Sequence, residues 1–256
     1  MSHPRHSKGS GSSQAQYMDV DEELTLSQTQ TLSQAQRNLE HHSPRQVEQK
    51  VNEVVQFLLI KDQKKIPIKR IDIVKNIIKD YKVFPEILKR ANQTLQQVFG
   101  LELVEIDPKN HTYILISKFP PLEGDTMNDD ENTPKMGLLI VILSLIFMKG
   151  NQVKESAVWE MLRRLHIDCS GGKHKVFGDV KKLVTEEFVR QKYLEYTRLP
   201  HTDPPEFQFK WGPRAFKETS KKQILQFVAK IQNQSPKSWM GQYNEAEAEA
   251  SAAGKP

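Results

Sequence analysis

Residues 84–116 read FPEILKRANQTLQQVFGLELVEIDPKNHTYILI, and this stretch decides the fold. Its first half carries apolar side chains at helical spacing, at Ile87, Leu88, Ala91, Leu95, Val98 and Phe99. Pro85 suits a first helical turn, where its missing N–H costs nothing, and Gly100 is a typical helix end. Two apolar runs separated by the turn at 107–110 follow. The stretch predicts a helix and then a β-hairpin, as in the last helix and wing of a winged-helix domain.

The residues before this stretch complete such a domain. Residues 44–61 carry valines and leucines at helical spacing, which predicts an amphipathic helix. Residues 66–68 are predicted to be extended, because Pro67 disfavours a helical residue before it. A second helix is indicated by Ile71, Val74, Ile77 and Ile78. We therefore expect an N-terminal winged helix over residues 44–119.

The same order of elements recurs further along the chain. Residues 136–148 are apolar all round and predict a buried helix, and a short strand at 152–154 and helices at 156–167 and 178–188 follow. Strands at 190–199 and 206–211 form a second wing, and Ser220 with Gln223 is a capping box that begins a last helix. The predicted fold class is α+β, mainly α with small β-hairpins, built as tandem winged helices. The second unit covers 135–235.

The remaining segments have a different composition. Residues 1–43 are rich in Ser and Gln and are expected to be disordered, and the Glu-Ala-rich residues 236–256 are expected to form a flexible tail. Residues 120–134 contain five acidic and no basic side chains and are predicted to be a linker. Four hydroxyl–glutamine pairs begin at Ser13, Ser27, Thr29 and Ser33. They fit either chance in a Gln-rich tail or a phosphorylation cluster for DNA-damage checkpoint kinases.

Two basic blocks flank the acidic linker. Residues 44–119 have a net charge of +5, and residues 135–235 have a net charge of +8. Basic blocks are typical of proteins that bind nucleic acids or acidic proteins, although a solvated basic face remains an alternative. The candidate DNA-binding side chains lie on or just before the helix predicted at 178–188 and on the first strand of the second wing; they are Lys173, Lys175, Lys181, Lys182, Arg190 and Lys192. No Asn or Gln accompanies Lys181 and Lys182, which favours phosphate contacts over base readout.

Other classes of protein find little support in the sequence. The single Cys169 excludes a disulfide framework and a multi-cysteine zinc site. Together with His166 and His174 it would leave a zinc site one protein ligand short, and nothing dedicated orients a histidine for catalysis. The longest apolar run has 13 residues, whereas a membrane helix needs about 20. We expect no enzyme, cofactor, metal, signal peptide or membrane span.

Several motifs together resemble the landmarks of the MAGE homology domain. The similarity covers roughly residues 46–235, and within the family it is strongest to the ancestral-type subunits of the Smc five–six complex. The segments that carry it are 57–61, 98–100, 113–116, 137–139, 147–151, 159–163, 183–196, 198–204 and 209–214. The resemblance independently implies tandem winged helices.

The resemblance also implies partners. It implies that a RING ubiquitin ligase subunit, the first non-SMC element (Nse) of the complex, binds the N-terminal winged helix. A kleisin, the fourth Nse element, would bind the C-terminal one. The Smc heterodimer would be reached through the kleisin, and double-stranded DNA would also be bound. Leu58 and Leu59 match the family's dileucine, which is implicated in binding the RING partner, although core packing is the plainer interpretation.

The function that the resemblance implies is that of a non-enzymatic scaffold subunit of the Smc five–six complex, which acts in DNA repair and recombination and stimulates the ligase. Its expected location is the nucleus, in association with chromatin. The alternatives are a sequence-specific winged-helix transcription regulator and a MAGE-type regulator of another RING ligase. Glu186 and Glu187 on the candidate DNA-binding helix argue against the transcription regulator, because such a helix is normally rich in basic and amide side chains.

Overall fold

The computed structural model describes residues 43–79, 82–118, 132–167 and 172–253, and they form two winged helices in tandem. The N-terminal unit contains three helical segments and a three-stranded antiparallel sheet of order β1-β3-β2. Its elements are α1 (Pro44–Gln63), β1 (Ile68–Lys69), α2 (Arg70–Ile73), α3 (Phe84–Thr94), β2 (Leu101–Asp107) and β3 (Thr112–Ser117). π-Helical turns at Val74–Ile78 and Leu95–Phe99 extend α2 and α3.

The N-terminal elements begin and end where local chemistry requires. Ser43 and Gln46 form a capping box at the start of α1. Gly100 has a φ of 62° and ends the helical run of α3, a backbone conformation that glycine adopts without steric cost. The apolar stripes of α1, α2 and α3 then bury a single core that includes Leu58, Ile87 and Leu115.

The C-terminal unit repeats this plan around a core of its own. Its sheet has the order β4-β8-β7, and a separate two-stranded ladder joins β5 to β6. The elements are α4 (Asn132–Met148), β4 (Val153–Lys154), α5 (Glu155–Arg164), β5 (Lys173–His174), β6 (Gly178–Asp179), α6 (Val180–Lys182), α7 (Phe188–Arg190), β7 (Leu194–Arg198) and β8 (Phe207–Trp211), with α8 (Ala215–Glu218), α9 (Lys221–Gln232) and α10 (Met240–Ala253) after them. A π-helical turn at Leu183–Glu187 joins α6 to α7, so 180–190 is one helical run. The predicted fold class is confirmed.

Aromatic side chains attach the second wing to its helices. Tyr196 stacks on Phe209 with ring centroids 4.7 Å apart, and its hydroxyl donates to Glu155 at 2.7 Å. Trp159 donates to the same carboxylate at 2.9 Å. Trp211 donates through Nε1 to the Leu143 carbonyl at 2.9 Å, which ties β8 to the buried helix α4. The polar groups of these three aromatic side chains therefore have partners where the wing removes them from water.

Arg214 joins the two winged helices. Its side chain is 0% exposed, although it follows directly after the second wing. It donates to Glu218 at 3.0 Å and to the Gln191 carbonyl at 2.8 Å within its own unit. It also donates to the carbonyl of Lys65 in the N-terminal unit at 3.1 Å. Since a guanidinium offers five donors in a rigid plane, the Arg214 side chain can donate hydrogen bonds to acceptors of both units at once.

The C-terminal residues correct the sequence analysis. Residues 236–256 were expected to be a flexible tail, but α10 packs against the second core, with Ala246 only 2% exposed. Glu245 pairs with Lys221 at 2.6 Å and accepts from Asn151 at 2.7 Å. The Glu-Ala repeat has no apolar stripe, but Glu and Ala both favour a helix. The ion pairs fix where α10 docks, which the side-chain pattern alone does not.

The sequence predicts neither a membrane span nor a metal site. Within the described ranges no helix is long and apolar enough to cross a membrane, and no group of three metal-ligating side chains occurs. The hydroxyl–glutamine pairs, Cys169 and nearly all of the acidic linker at 120–134 lie outside the described residues.

We expect the variant Arg214→Met to lose about 3–5 kcal/mol of unfolding free energy, because it leaves Glu218 and two carbonyls without their buried donor. Urea denaturation followed by circular dichroism measures this. Arg163→Met is the control, since Arg163 is 74% exposed and pairs only on the surface with Glu160. The control should change stability by less than about 0.5 kcal/mol. Equal effects of the two variants would contradict the role of Arg214.

We expect a chain that ends at Trp239 to melt about 4–8 °C below the full chain, because the loss of α10 uncovers the core under Ala246 and removes the ion pairs of Lys221. A chain that starts at Ser43 is the comparison, and it should melt within a few degrees of the full chain. It keeps the capping box and loses only residues without apolar periodicity. Differential scanning calorimetry on all three chains decides, and a short chain without α10 that melts like the full chain would contradict this prediction.

Candidate nucleic-acid interface and partner surface

A small hairpin positions two of the candidate lysines. The β5–β6 ladder pairs Lys173 with Asp179 and His174 with Gly178. The ring of His174 stacks on Phe177 at 4.8 Å, and its Nδ1 accepts the N–H groups of Val176 at 3.2 Å and Phe177 at 3.3 Å. The hairpin is thus ordered by its own side chains, and it holds Lys173 and Lys175 beside the start of α6.

Two more lysines lie on the first turn of α6. Asp179 caps this turn, because its carboxylate accepts the N–H of Lys182 at 2.9 Å. Val180 and Val184 are buried and fix the rotation of the helix, so that Lys181 and Lys182 face solvent. Within the described residues none of the four lysines at 173, 175, 181 and 182 forms an ion pair. The structure therefore places four lysines without an ion pair on one hairpin and the adjoining helical turn, and they are here called the lysine cluster.

Arg190 and Lys192 lie at the other end of this helical run. The rise from Lys182 to Arg190 is about 12 Å, and the exposed Glu186 lies between them. The pKa of Asp107 on the first wing is lowered, mainly by a hydrogen bond from Asn110 and in small part by the charge of Lys192. These two side chains are exposed, but they lie near the junction of the two units and outside the lysine cluster.

The backbone at Lys192 is fixed by its neighbours. Lys192 has a φ of 68°, and its carbonyl accepts the N–H of Arg214 at 3.0 Å. A Cβ on Gly212 would collide with this carbonyl, so only glycine allows the approach. The position of the Lys192 side chain is therefore tied to the same junction as Arg214.

The two leucines of the dileucine have different environments. Leu58 is 0% exposed and belongs to the N-terminal core. Leu59 is only partly buried and packs against the edge of that core, and the next residue, Ile60, is 55% exposed. Leu59 and Ile60 can therefore contact a partner directly, whereas Leu58 supports them from inside.

Sequence reasoning missed further exposed apolar side chains in the N-terminal unit. Val98 and Phe99 were expected to face inward, but they are 69% and 47% exposed. The π-helical turn at Leu95–Phe99 changes the phase of the apolar stripe just before Gly100. Only the position next to the helix-ending glycine could have signalled this, because a π-turn has no reliable sequence pattern.

Comparisons with known proteins agree with this architecture. The model of the MAGE homology domain matches residues 54–222. The chain is 57% identical over 216 residues to the human non-structural maintenance of chromosomes element 3 homolog, covering 84% of this chain and 71% of that protein. The mouse homolog is 56% identical over 214 residues, covering 83% and 76%.

A wider relative and a solved structure extend the comparison. Human melanoma-associated antigen D2 is 50% identical over 206 residues, which are 80% of this chain and 34% of that protein. A chain from a solved structure of the Nse1-Nse3-Nse4 complex superposes with a TM-score of 0.78 and 65% identity, covering 80% of this chain and all of the other. With two winged helices, a dileucine at the end of α1 and a family match over most of its length, this chain belongs to the MAGE homology domain family.

Proposed function

We propose that the protein is a non-enzymatic subunit of the Smc five–six complex that bridges a RING ubiquitin ligase subunit and a kleisin. The observation that carries this proposal is the 65% identity to a chain of the Nse1-Nse3-Nse4 complex over the whole of that chain. The 57% identity to a non-structural maintenance of chromosomes element 3 homolog supports it. The RING subunit would bind the N-terminal winged helix and the kleisin the C-terminal one, and the kleisin would connect the protein to the Smc heterodimer.

The proposal includes a role on chromosomes. The protein would stimulate the RING ligase, bind double-stranded DNA and act in DNA repair and recombination in the nucleus. The lysine cluster supports the DNA contact, because four unpaired positive charges on an ordered hairpin and helix suit phosphate oxygens. Arg190 and Lys192 would contact DNA only if the duplex extended along the helical run toward the junction of the two units.

Apolar surface at the end of α1 supports the contact with the RING subunit. Leu59 is half-buried, and Ile60 is exposed beside it. Exposed apolar side chains on a rigid helix are typical of an interface anchor, since their burial by a partner releases water without reordering the chain.

We expect Leu59→Ala to weaken binding of the RING subunit while the melting temperature stays within a few degrees of wild type. Leu58→Ala is the contrasting variant, because its cavity lies in the core and should cost about 2–5 kcal/mol of stability. Co-purification of the two subunits, with a melting curve of each variant, measures both effects. Normal co-purification of Leu59→Ala would remove this residue from the interface.

We expect duplex DNA to bind without sequence preference and with an affinity that falls steeply with salt. The slope of log affinity against log salt should be near −0.9 per phosphate neutralised. The double variant Lys181→Glu/Lys182→Glu should weaken binding to all duplexes by a similar factor and make the slope shallower by about two. Fluorescence anisotropy with two unrelated duplexes at several salt concentrations measures this.

The control for this experiment is Lys75→Glu/Lys79→Glu, which makes the same charge change on exposed residues of the N-terminal unit. It should leave the slope unchanged. Strong preference for one duplex would favour the transcription regulator instead. Equal loss in both double variants would show that net charge, and not the lysine cluster, controls binding.

A further inference from the structure

A groove opens on the N-terminal winged helix where α3 and the β2–β3 hairpin diverge. It has a cavity volume of about 710 Å³, within the range of about 300–1,000 Å³ typical of ligand sites. Phe84 and Leu88 form its apolar wall on the helix side, and Leu103 forms the wall on the strand side. None of its lining residues belongs to α1 or to the C-terminal unit, so it is separate from the dileucine and the lysine cluster.

The strand beside this groove has a free edge. In the sheet order β1-β3-β2, β2 pairs only with β3. The N–H of Leu103 points away from β3 and donates to Oδ1 of Asn92 on α3 at 2.9 Å. Alternate residues of an antiparallel strand direct their backbone groups to the same side, so the N–H and C=O of Glu105 also point away from β3. Among the described strands none lies on this side of β2, so these two groups have no partner in the sheet ladder.

The charges at the groove favour an acidic ligand. Lys89 is exposed on the helix rim and forms no ion pair with any described residue. Arg70 lines the groove and stacks its guanidinium over the Phe84 ring at 4.7 Å. The opposite carboxylate, Glu105, is already engaged by Nδ1 of His111 at 2.9 Å.

The hydroxyl of Tyr113 also engages this carboxylate. Burial, together with the nearby charge of Glu105, raises the pKa of Tyr113 to about 12, and the protonated hydroxyl donates to this carboxylate. On the hairpin side of the groove, the Glu105 carboxylate therefore already accepts hydrogen bonds from its neighbours. On the α3 side, the positive charge of Lys89 is available to a ligand.

We propose that this groove binds an extended segment of a partner protein that adds to the free edge of β2. The segment would exchange backbone hydrogen bonds with Glu105 and place an apolar side chain between Leu88 and Leu103. It would carry an Asp or Glu side chain toward Lys89. Strand addition supplies affinity through the backbone, while the groove and the charge of Lys89 select the side chains. This inference goes beyond the proposed function, because it concerns a different surface.

The test selects peptides from a phage-displayed library of random dodecapeptides on the immobilised full chain. Enriched peptides should combine an acidic residue with a nearby apolar residue. Binding of the synthetic peptides, measured by fluorescence anisotropy, should weaken at least tenfold in Lys89→Glu. It should change less than twofold in Lys75→Glu, which makes the same charge change at an exposed residue outside the groove. Both substitutions are at the surface, so folding should be preserved, and melting curves check this.

Amide hydrogen exchange then tests the mode of binding. The Glu105 amide should exchange more slowly when a selected peptide is bound, whereas a peptide that contacted side chains alone would leave it unchanged and overturn strand addition. Failure to enrich any binder, or binders insensitive to Lys89→Glu, would overturn the site. A concentration-dependent dimer that Lys89→Glu dissociates would assign the groove to a second copy of the chain and overturn the partner segment.

Discussion

The buried guanidinium of Arg214 determines how the two winged helices are arranged. A fully buried positive charge is costly unless it is surrounded by acceptors, and here the acceptors come from both units. The carboxylate of Glu218 balances the charge and also accepts the hydroxyl of Tyr193 at 2.6 Å, and the guanidinium lies 5.3 Å from the centre of the Tyr193 ring. Burial, together with the negative charge of Glu218, raises the pKa of Tyr193, and its protonated hydroxyl is a donor in this network. If one unit moved against the other, these polar groups would therefore lose their hydrogen-bond partners while they remained away from water.

This junction also bears on the candidate functional surfaces. The second wing, the β5–β6 hairpin and the helical run that carries Lys181 and Lys182 all belong to the unit that Arg214 links to the segment just after α1. Gln191 adds a further link, because its side chain donates to the Lys64 carbonyl at 3.3 Å. The end of α1, which carries the dileucine, is thus linked to the end of the helix that carries the lysines. A ligase subunit bound at one place and DNA bound at the other would be held in a defined relative geometry.

Much of the fold could be predicted from the sequence because it depends on local rules. Several of these rules involve only residues close together in the sequence: helical periodicity, the capping boxes at Ser43 and Ser220, and the helix end at Gly100. The junction could not be predicted in this way, since Arg214 donates to a carbonyl 149 positions away in the sequence. A backbone carbonyl is present at every residue, so the side-chain pattern does not show which one is the acceptor. The docking of α10 was missed for a related reason, because its contacts are specific ion pairs rather than an apolar stripe. Among the candidate site residues, the exposure of Lys181 and Lys182 followed from helical geometry, but the β5–β6 hairpin that carries Lys173 and Lys175, and the position of Lys192 near the junction, required the tertiary structure.

The bond between Asn92 and Leu103 has a consequence for solubility. An unpaired strand edge is a template on which other chains can add strands and aggregate. Here a side chain from a neighbouring helix occupies one backbone donor, and the irregular pairing between Glu105 and Asp107 interrupts the strand soon after it. The edge left between these two features is too short to nucleate an extended intermolecular sheet. The protein can thus keep a strand edge accessible to a short segment without exposing itself to uncontrolled self-association.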